Sequence, residues 1–285
     1  VVLRVVGRQS DVSDHLKVKF RLSTCCRIST DVGRFGLAVV LKSSQEIEKM
    51  RRAGQVVREV LELVRERVKP GATTFDLEKA AEKRLAELGV KAAFKGYHGF
   101  PCVLCTSVNS EVVHGIPSPK RVLKDGDIVS VDFGVVIDGY YGDAAITVPV
   151  GSINADAARL LKVTEASLQA GIAAVRPGAT LGDVGAAVQG VVEGEGFSVV
   201  RDFVGHGIGV QMHEDPQVPN FGEAGRGMKL KAGMVIAIEP MVNAGRPDVT
   251  VLDDGWTAVA KDGSMSAHFE HTVAVTSTGA RILTE

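Results

Sequence analysis

Leu123–Asp132, LKDGDIVSVD, returns 107 residues later as Leu230–Glu239, LKAGMVIAIE. Both stretches close on a carboxylate, Asp132 and Glu239, after an apolar run. Upstream, Val68–Thr73 (VKPGAT) meets Val175–Thr180 (VRPGAT) at the same offset, as Asp76 meets Asp183 and Gly89 meets Gly196. A register held this long predicts an internal repeat. Each half, about 43–150 and 151–285, reads as helix, helix, strands. Two such halves pack most simply as helix layers on one shared sheet about a pseudo-two-fold axis, an α+β architecture. Asp132 and Glu239 would then face each other across the axis. Sheet packing has no use for acids there, and burying them costs free energy unless something compensates.

The first of those strands continues into a hairpin, Val129–Asp143, VSVDFGVVIDGYYGD. Val129–Ile137 is apolar and β-branched, and Asp138-Gly139 suits a two-residue turn. That turn pairs Ile137 with Tyr140, Gly134 with Asp143 and Asp132 with Ala145. Period-two alternation puts Asp132 and Asp143 on one face, within reach of one site. Two like charges there repel unless a cation or a shared proton relieves them.

Composition narrows the function classes. The chain has 285 residues, 45% of them hydrophobic, and a formal net charge of −1. That is enough to bury a sizeable core, and it gives no basis for non-specific binding to nucleic acid or membranes. No apolar run reaches the length of a membrane span. Cys102-x-x-Cys105 has the spacing of a redox or zinc pair, but Cys25-Cys26 supply no matching second pair. Reduced thiols and a cytoplasmic location are expected. Residues 1–38 differ in character: five Arg and two Lys stand against three Asp, without sustained periodicity. They are expected to be a flexible or non-native extension, ahead of a catalytic domain at 39–285.

Helix signals are regular from Ser43 onward. Ser43 and Glu46 make a capping box, followed by apolar residues at helical spacing up to Pro70-Gly71. A second helix follows Thr73-Thr74 and ends at Gly89. Two more are expected at Asp156–Val175 and Asp183–Glu195. Gly96–His114, GYHGFPCVLCTSVNSEVVH, is too apolar for a linker and too broken for a long element, so it reads as a pocket-lining loop.

Three further stretches join the acids. Gly205-His206-Gly207-Ile208-Gly209 surrounds a histidine with glycines, which would let backbone approach a ligand. His213 follows seven residues on, and Glu270 precedes the closing strand Val273–Val275. Asp132, Asp143, His206, Glu239 and Glu270 form an oxygen-rich set with one nitrogen, suited to Mn, Fe(II), Co or Zn. Its four negative charges fit two divalent ions. Such a pair generates a nucleophile from bridging water and clamps a tetrahedral intermediate. Glu239 is a candidate for taking the proton, and His213 for stabilising the oxyanion. This chemistry points to a dinuclear metallohydrolase.

The same residues resemble a known family, the type I methionine aminopeptidases of the pita-bread (creatinase/aminopeptidase-like) fold, from about Val40 to Thr284. The motifs that carry the resemblance are Gly96–Pro101, Val113–Pro117, Asp127–Asp132, Gly142-Asp143, Gly205–Gly209, His213-Glu214-x-Pro216, Ile238–Met241, Asp254–Thr257 and Glu270–Thr272. The resemblance implies two pseudo-symmetric halves, with a curved antiparallel sheet covered by helices. It implies that Asp132, Asp143, His206, Glu239 and Glu270 hold two divalent ions, with Asp143 and Glu270 bridging. It also implies that His114 and His213 contact the peptide around the scissile amide. Tyr97, Phe100, Cys105, Met212 and Trp256 would line or close a methionine pocket, with Met212 where many relatives have Phe and Phe94 where some have Cys. A monovalent cation, Na or K, is expected near Asn109 and Ser266. The implied activity is removal of the initiator methionine from nascent chains with a small second residue, with the ribosome as an expected partner, by a monomer with no membrane or nucleic-acid site. Two other readings stand beside it: a Xaa-Pro aminopeptidase or prolidase of the same fold, and an inactive protein-binding relative.

Overall fold

Capping residues set where the helices begin. In the computed structural model, which describes residues 39–285, Ser43 caps α1 (Ser44–Arg65) and exchanges hydrogen bonds with Glu46. Thr73 does the same with Asp76 at α2 (Thr74–Leu88), which ends on Gly89 in the left-handed region. Asn154 caps α3 (Ala155–Ala174), and Thr180 with Asp183 caps α4 (Leu181–Gly194). The last two helices therefore start one and two residues earlier than the apolar pattern predicts. The reason is local: Asn154 and Thr180 satisfy the free amides of the first turn, and Asp183 sits inside that turn. The expectation for residues 1–38 lies outside the described residues.

The repeat is visible bond by bond. The Gly71 amide donates to the Leu123 carbonyl and the Gly178 amide to the Leu230 carbonyl, each at 2.9 Å. Leu123 returns the bond to Ala72, and Leu230 returns it to Ala179. Thr73 bridges to Val122, and Thr180 to Lys229. Every pair is related by the offset of 107, so the repeated sequence builds the same helix-to-strand junction twice.

Both helix pairs pack on a nine-stranded sheet, antiparallel at every pairing. Its spatial order is Lys91–Ala92, Ile128–Ile137, Tyr140–Pro149, Glu270–Val275, Val235–Ile238, Gly205–Gly207 and Glu214–Val218. Leu104–Val108 also pairs with Ile128–Ile137, and Ala280–Ile282 with Glu270–Val275. The Gly96–His114 stretch is thus more ordered than its sequence suggests. Leu104–Val108 gains its strand from a long-range ladder, which no local pattern announces. α1 and α2 bury Val57, Leu61, Leu77 and Leu85 against Val129, Val131 and Phe133. α3 and α4 bury Leu168, Ile172 and Val184 against Ile236, Ile238 and Val273. Among the described residues, no helix is long and apolar enough to cross a membrane.

Candidate metal centre and substrate pocket

Sheet register gathers the acids. The hairpin pairs Ile137 with Tyr140, Gly134 with Asp143 and Asp132 with Ala145, as its turn predicts. On its other side, Ala145 pairs with Glu270. Asp132, Ala145 and Glu270 therefore form one cross-strand row, and Asp143 lies two residues along on the same face. His271 pairs with Ile238, which sets Glu239 beside Glu270 at the end of its strand. The small side chain of Ala145 leaves room above the row.

His206 enters from the adjoining strand. Its Nδ1 lies 2.9 Å from the Gly207 carbonyl, which fixes the ring and turns Nε2 toward the acids. Nε2 is 3.7 Å from Glu239 Oε1 and 3.9 Å from Asp143 Oδ2. The flanking glycines serve a different purpose from the one their spacing suggested. A Cβ at Gly205 would collide with the Ala237 carbonyl, and one at Gly207 with the Asp215 carbonyl. Neighbouring strands, not a ligand, require these glycines.

The cluster is buried. Asp143, His206, Glu239 and Glu270 are each at most 5% exposed. Asp132 opens slightly to the pocket, yet its Oδ1 is buried without a hydrogen bond. Burial pushes the Asp132 carboxyl up to about 7, with Glu239 adding to the rise and His268 opposing it. Donor atoms of Asp143, His206 and Glu270 lie within 4.8 Å of one another, as do those of Glu239, His268 and Glu270. Buried acids, an orphaned oxygen and two convergent donor groups fit divalent cations.

Beside this cluster lies a pocket of about 550 Å³, including its mouth. Tyr97, Phe100, Cys105, Met212 and Trp256 line it together with His114, His213 and all five acid-and-histidine candidates. Phe100 and Trp256 meet edge to face at 5.1 Å. Trp256 stands on a turn that the Asp254 carboxylate holds by accepting the Trp256 and Thr257 amides. Tyr97 Oη lies 2.8 Å from His213 Nδ1, and the His213 and His206 rings are 4.3 Å apart. Burial lowers His213 to about 2 and His114 to about 4, so both imidazoles stay neutral. Phe94, Val113, Phe203 and Met241 complete the apolar wall.

Asn109 and Ser266 lie apart from this pocket but adjacent to each other, the Ser266 amide donating to the Asn109 carbonyl at 2.8 Å. The Asn109 side chain is already committed to the Ile128 amide and Asp127. Cys102 and Cys105 are buried and not disulfide-bonded, and among the described residues neither joins a metal-capable group. His268, which the sequence does not single out, also brings a donor atom to the cluster; it arrives there through its pairing with Met241.

Polar clusters of this kind, at the rim of an apolar pocket on a duplicated sheet, define a metal-dependent hydrolase of peptides. The chain belongs to metallopeptidase family M24, whose sequence profile matches residues 48–277. It is 51% identical over 249 residues to methionine aminopeptidase A of Synechocystis, covering 87% of this chain and 98% of that one. The crystal structure of methionine aminopeptidase from Thermotoga maritima superposes with a TM-score of 0.85 at 50% identity, covering 87% of this chain and 99% of that one. The prolidase of Pyrococcus horikoshii reaches 0.69 at 22% identity, covering 86% of this chain and 63% of that one. That last likeness is one of fold.

Proposed function

We propose that the chain removes the N-terminal methionine from nascent polypeptides whose second residue is small. The observation that carries this reading is an apolar pocket with Cys105 and Met212 in its wall, directly beside a buried cluster of acids. An unbranched thioether suits such a wall. Asp132, Asp143, His206, Glu239 and Glu270 would hold two divalent ions drawn from Co, Mn, Fe or Zn. Those ions would supply Lewis acidity and lower the pKa of water to the neutral range.

The rest of the chemistry falls to side chains. Glu239 accepts the proton of the attacking water and returns it to the leaving amine. His213 donates from Nε2 to the scissile carbonyl oxygen as charge develops there. Tyr97 supports that tautomer: a hydroxyl donating to Nδ1 leaves the ring proton on Nε2. His114 contacts the peptide on the other side of the amide. A large second residue is rejected by clash rather than by weaker attraction.

In this reading Asn109 and Ser266 help hold Na or K through main-chain carbonyls. The enzyme works as a cytoplasmic monomer on nascent chains near the ribosome, without a nucleic-acid site of its own. An inactive relative would have lost donors, and this chain keeps a carboxylate or imidazole at all five positions.

Asp143→Ala and Glu270→Ala test the assignment. Each should abolish turnover and lower bound metal while circular dichroism stays that of the parent. Full turnover with metal present would remove that residue from the ligand set.

A further inference from the structure

His268 is buried to 1% exposure inside the acid cluster, and its Nε2 makes no hydrogen bond. A buried imidazole nitrogen without a hydrogen bond costs free energy, so its place among carboxylates asks for a reason. The backbone holds it firmly. The His268 amide donates to Thr147 Oγ1 at 2.9 Å, and that hydroxyl donates to the His268 carbonyl at 2.7 Å. His268 also pairs with Met241 across a short antiparallel ladder. The ring is therefore anchored from behind, with Nε2 3.5 Å from Glu239 Oε2.

Glu239 has a different imidazole at each oxygen. His206 Nε2 lies 3.7 Å from Oε1, and His268 Nε2 lies 3.5 Å from Oε2. Two donors bound about 2.1 Å from one ion lie roughly 3.0–3.5 Å apart in octahedral to tetrahedral geometry. The His268–Glu239 separation meets that spacing as it stands. His268, Glu239 and Glu270 bring one donor atom each within 4.8 Å of one another, as Asp143, His206 and Glu270 do.

We propose that His268 is a sixth metal ligand, the nitrogen donor of the second ion, so that each ion of the pair has its own imidazole. It lies outside the five ligands implied by the resemblance, and the proposal rests on the metal reading of the site. A nitrogen donor favours Co, Fe and Zn over Mn at that position.

Titration of the chelator-stripped protein with Co(II) tests this. Binding is followed by calorimetry and by proton NMR of the exchangeable imidazole N–H signals, which a paramagnetic ion shifts far downfield. The parent should show one such signal after the first equivalent and two after the second. In His268→Gln, the second signal should vanish and the second equivalent should bind at least about tenfold more weakly, the first being unchanged. Glutamine can still hydrogen-bond Glu239, so a role limited to orienting that carboxylate would survive the change. Two equivalents bound by the parent with a single shifted signal would overturn the proposal without any variant, and would leave the five-ligand site intact. Failure of the parent to bind Co(II) would overturn both the proposal and the metal reading.

Discussion

Replacing Lys42 by Met strands the Glu214 carboxylate. Lys42 precedes α1, and its ammonium pairs with Glu214 and donates to the Val40 carbonyl. The two side chains are 4% and 12% exposed, so the pair is buried. The other Glu214 oxygen accepts the amides of Val210 and Gln211 at 2.7 and 3.1 Å. The pair thus ties the edge of α1 to the loop that carries Met212 and His213. Removing one partner of a buried pair costs about 3–5 kcal/mol. Glu214 keeps two amide bonds, which lowers the expected cost to about 2–3 kcal/mol. Removing both charges, in Lys42→Met with Glu214→Gln, leaves no stranded ion and should cost less than the sum of the singles. The double-mutant cycle should give a coupling of about 2 kcal/mol, measured by urea unfolding at one fixed metal concentration. Lys42→Met should also lower kcat/KM, because the His213 loop loses its anchor. A coupling below about 0.5 kcal/mol would refute the reasoning, since surface pairs alone reach that much.

Other outcomes follow from single contacts. His213→Ala should lower kcat by about ten- to a thousandfold with bound metal unchanged, as for a lost oxyanion donor; metal loss in that variant would make His213 a ligand. Gly54→Ala should destabilise by about 1–3 kcal/mol on thermal unfolding, although alanine favours a helix by about 1 kcal/mol. The reason is that its Cβ would collide with the Leu283 carbonyl, and a stabilised variant would contradict that packing. Glu78 is buried and accepts the Val103 and Leu104 amides, and burial raises its pKa above 4.5. A raised folded-state pKa means that the protonated acid is favoured in the native state. The stability of the parent relative to Glu78→Gln should therefore be greatest below pH 4.5 and fall as pH rises through the folded pKa; a pH-independent difference would refute it.

What could be read from sequence was what repeats or acts locally. Ser43, Thr73 and Thr180 cap their helices because the bonding partner is three residues away, and the Asp138-Gly139 turn fixes the hairpin register down to Asp132 and Ala145. Asp132 and Glu239 stood out because a duplicated strand ends twice in an acid. The rest depended on distant chain. Leu104–Val108 becomes a strand only against Ile128–Ile137. Gly205 and Gly207 are small because the Ala237 and Asp215 carbonyls press on them. Lys42 and Glu214 meet across 172 residues, and His268 joins the acids through a ladder to Met241. No spacing in the chain encodes those approaches.

The most direct measurement is peptide hydrolysis by the metal-stripped protein, with and without added Co(II), Mn(II) or Fe(II). The substrates are Met-Ala-Ser, Met-Leu-Ser and Ala-Pro-Ser. Metal-dependent release of methionine from Met-Ala-Ser alone is the predicted result. It would tie the acid cluster, the thioether pocket and the narrow second site to one reaction. Cleavage of Ala-Pro-Ser, or no cleavage of any peptide with any ion, would contradict it.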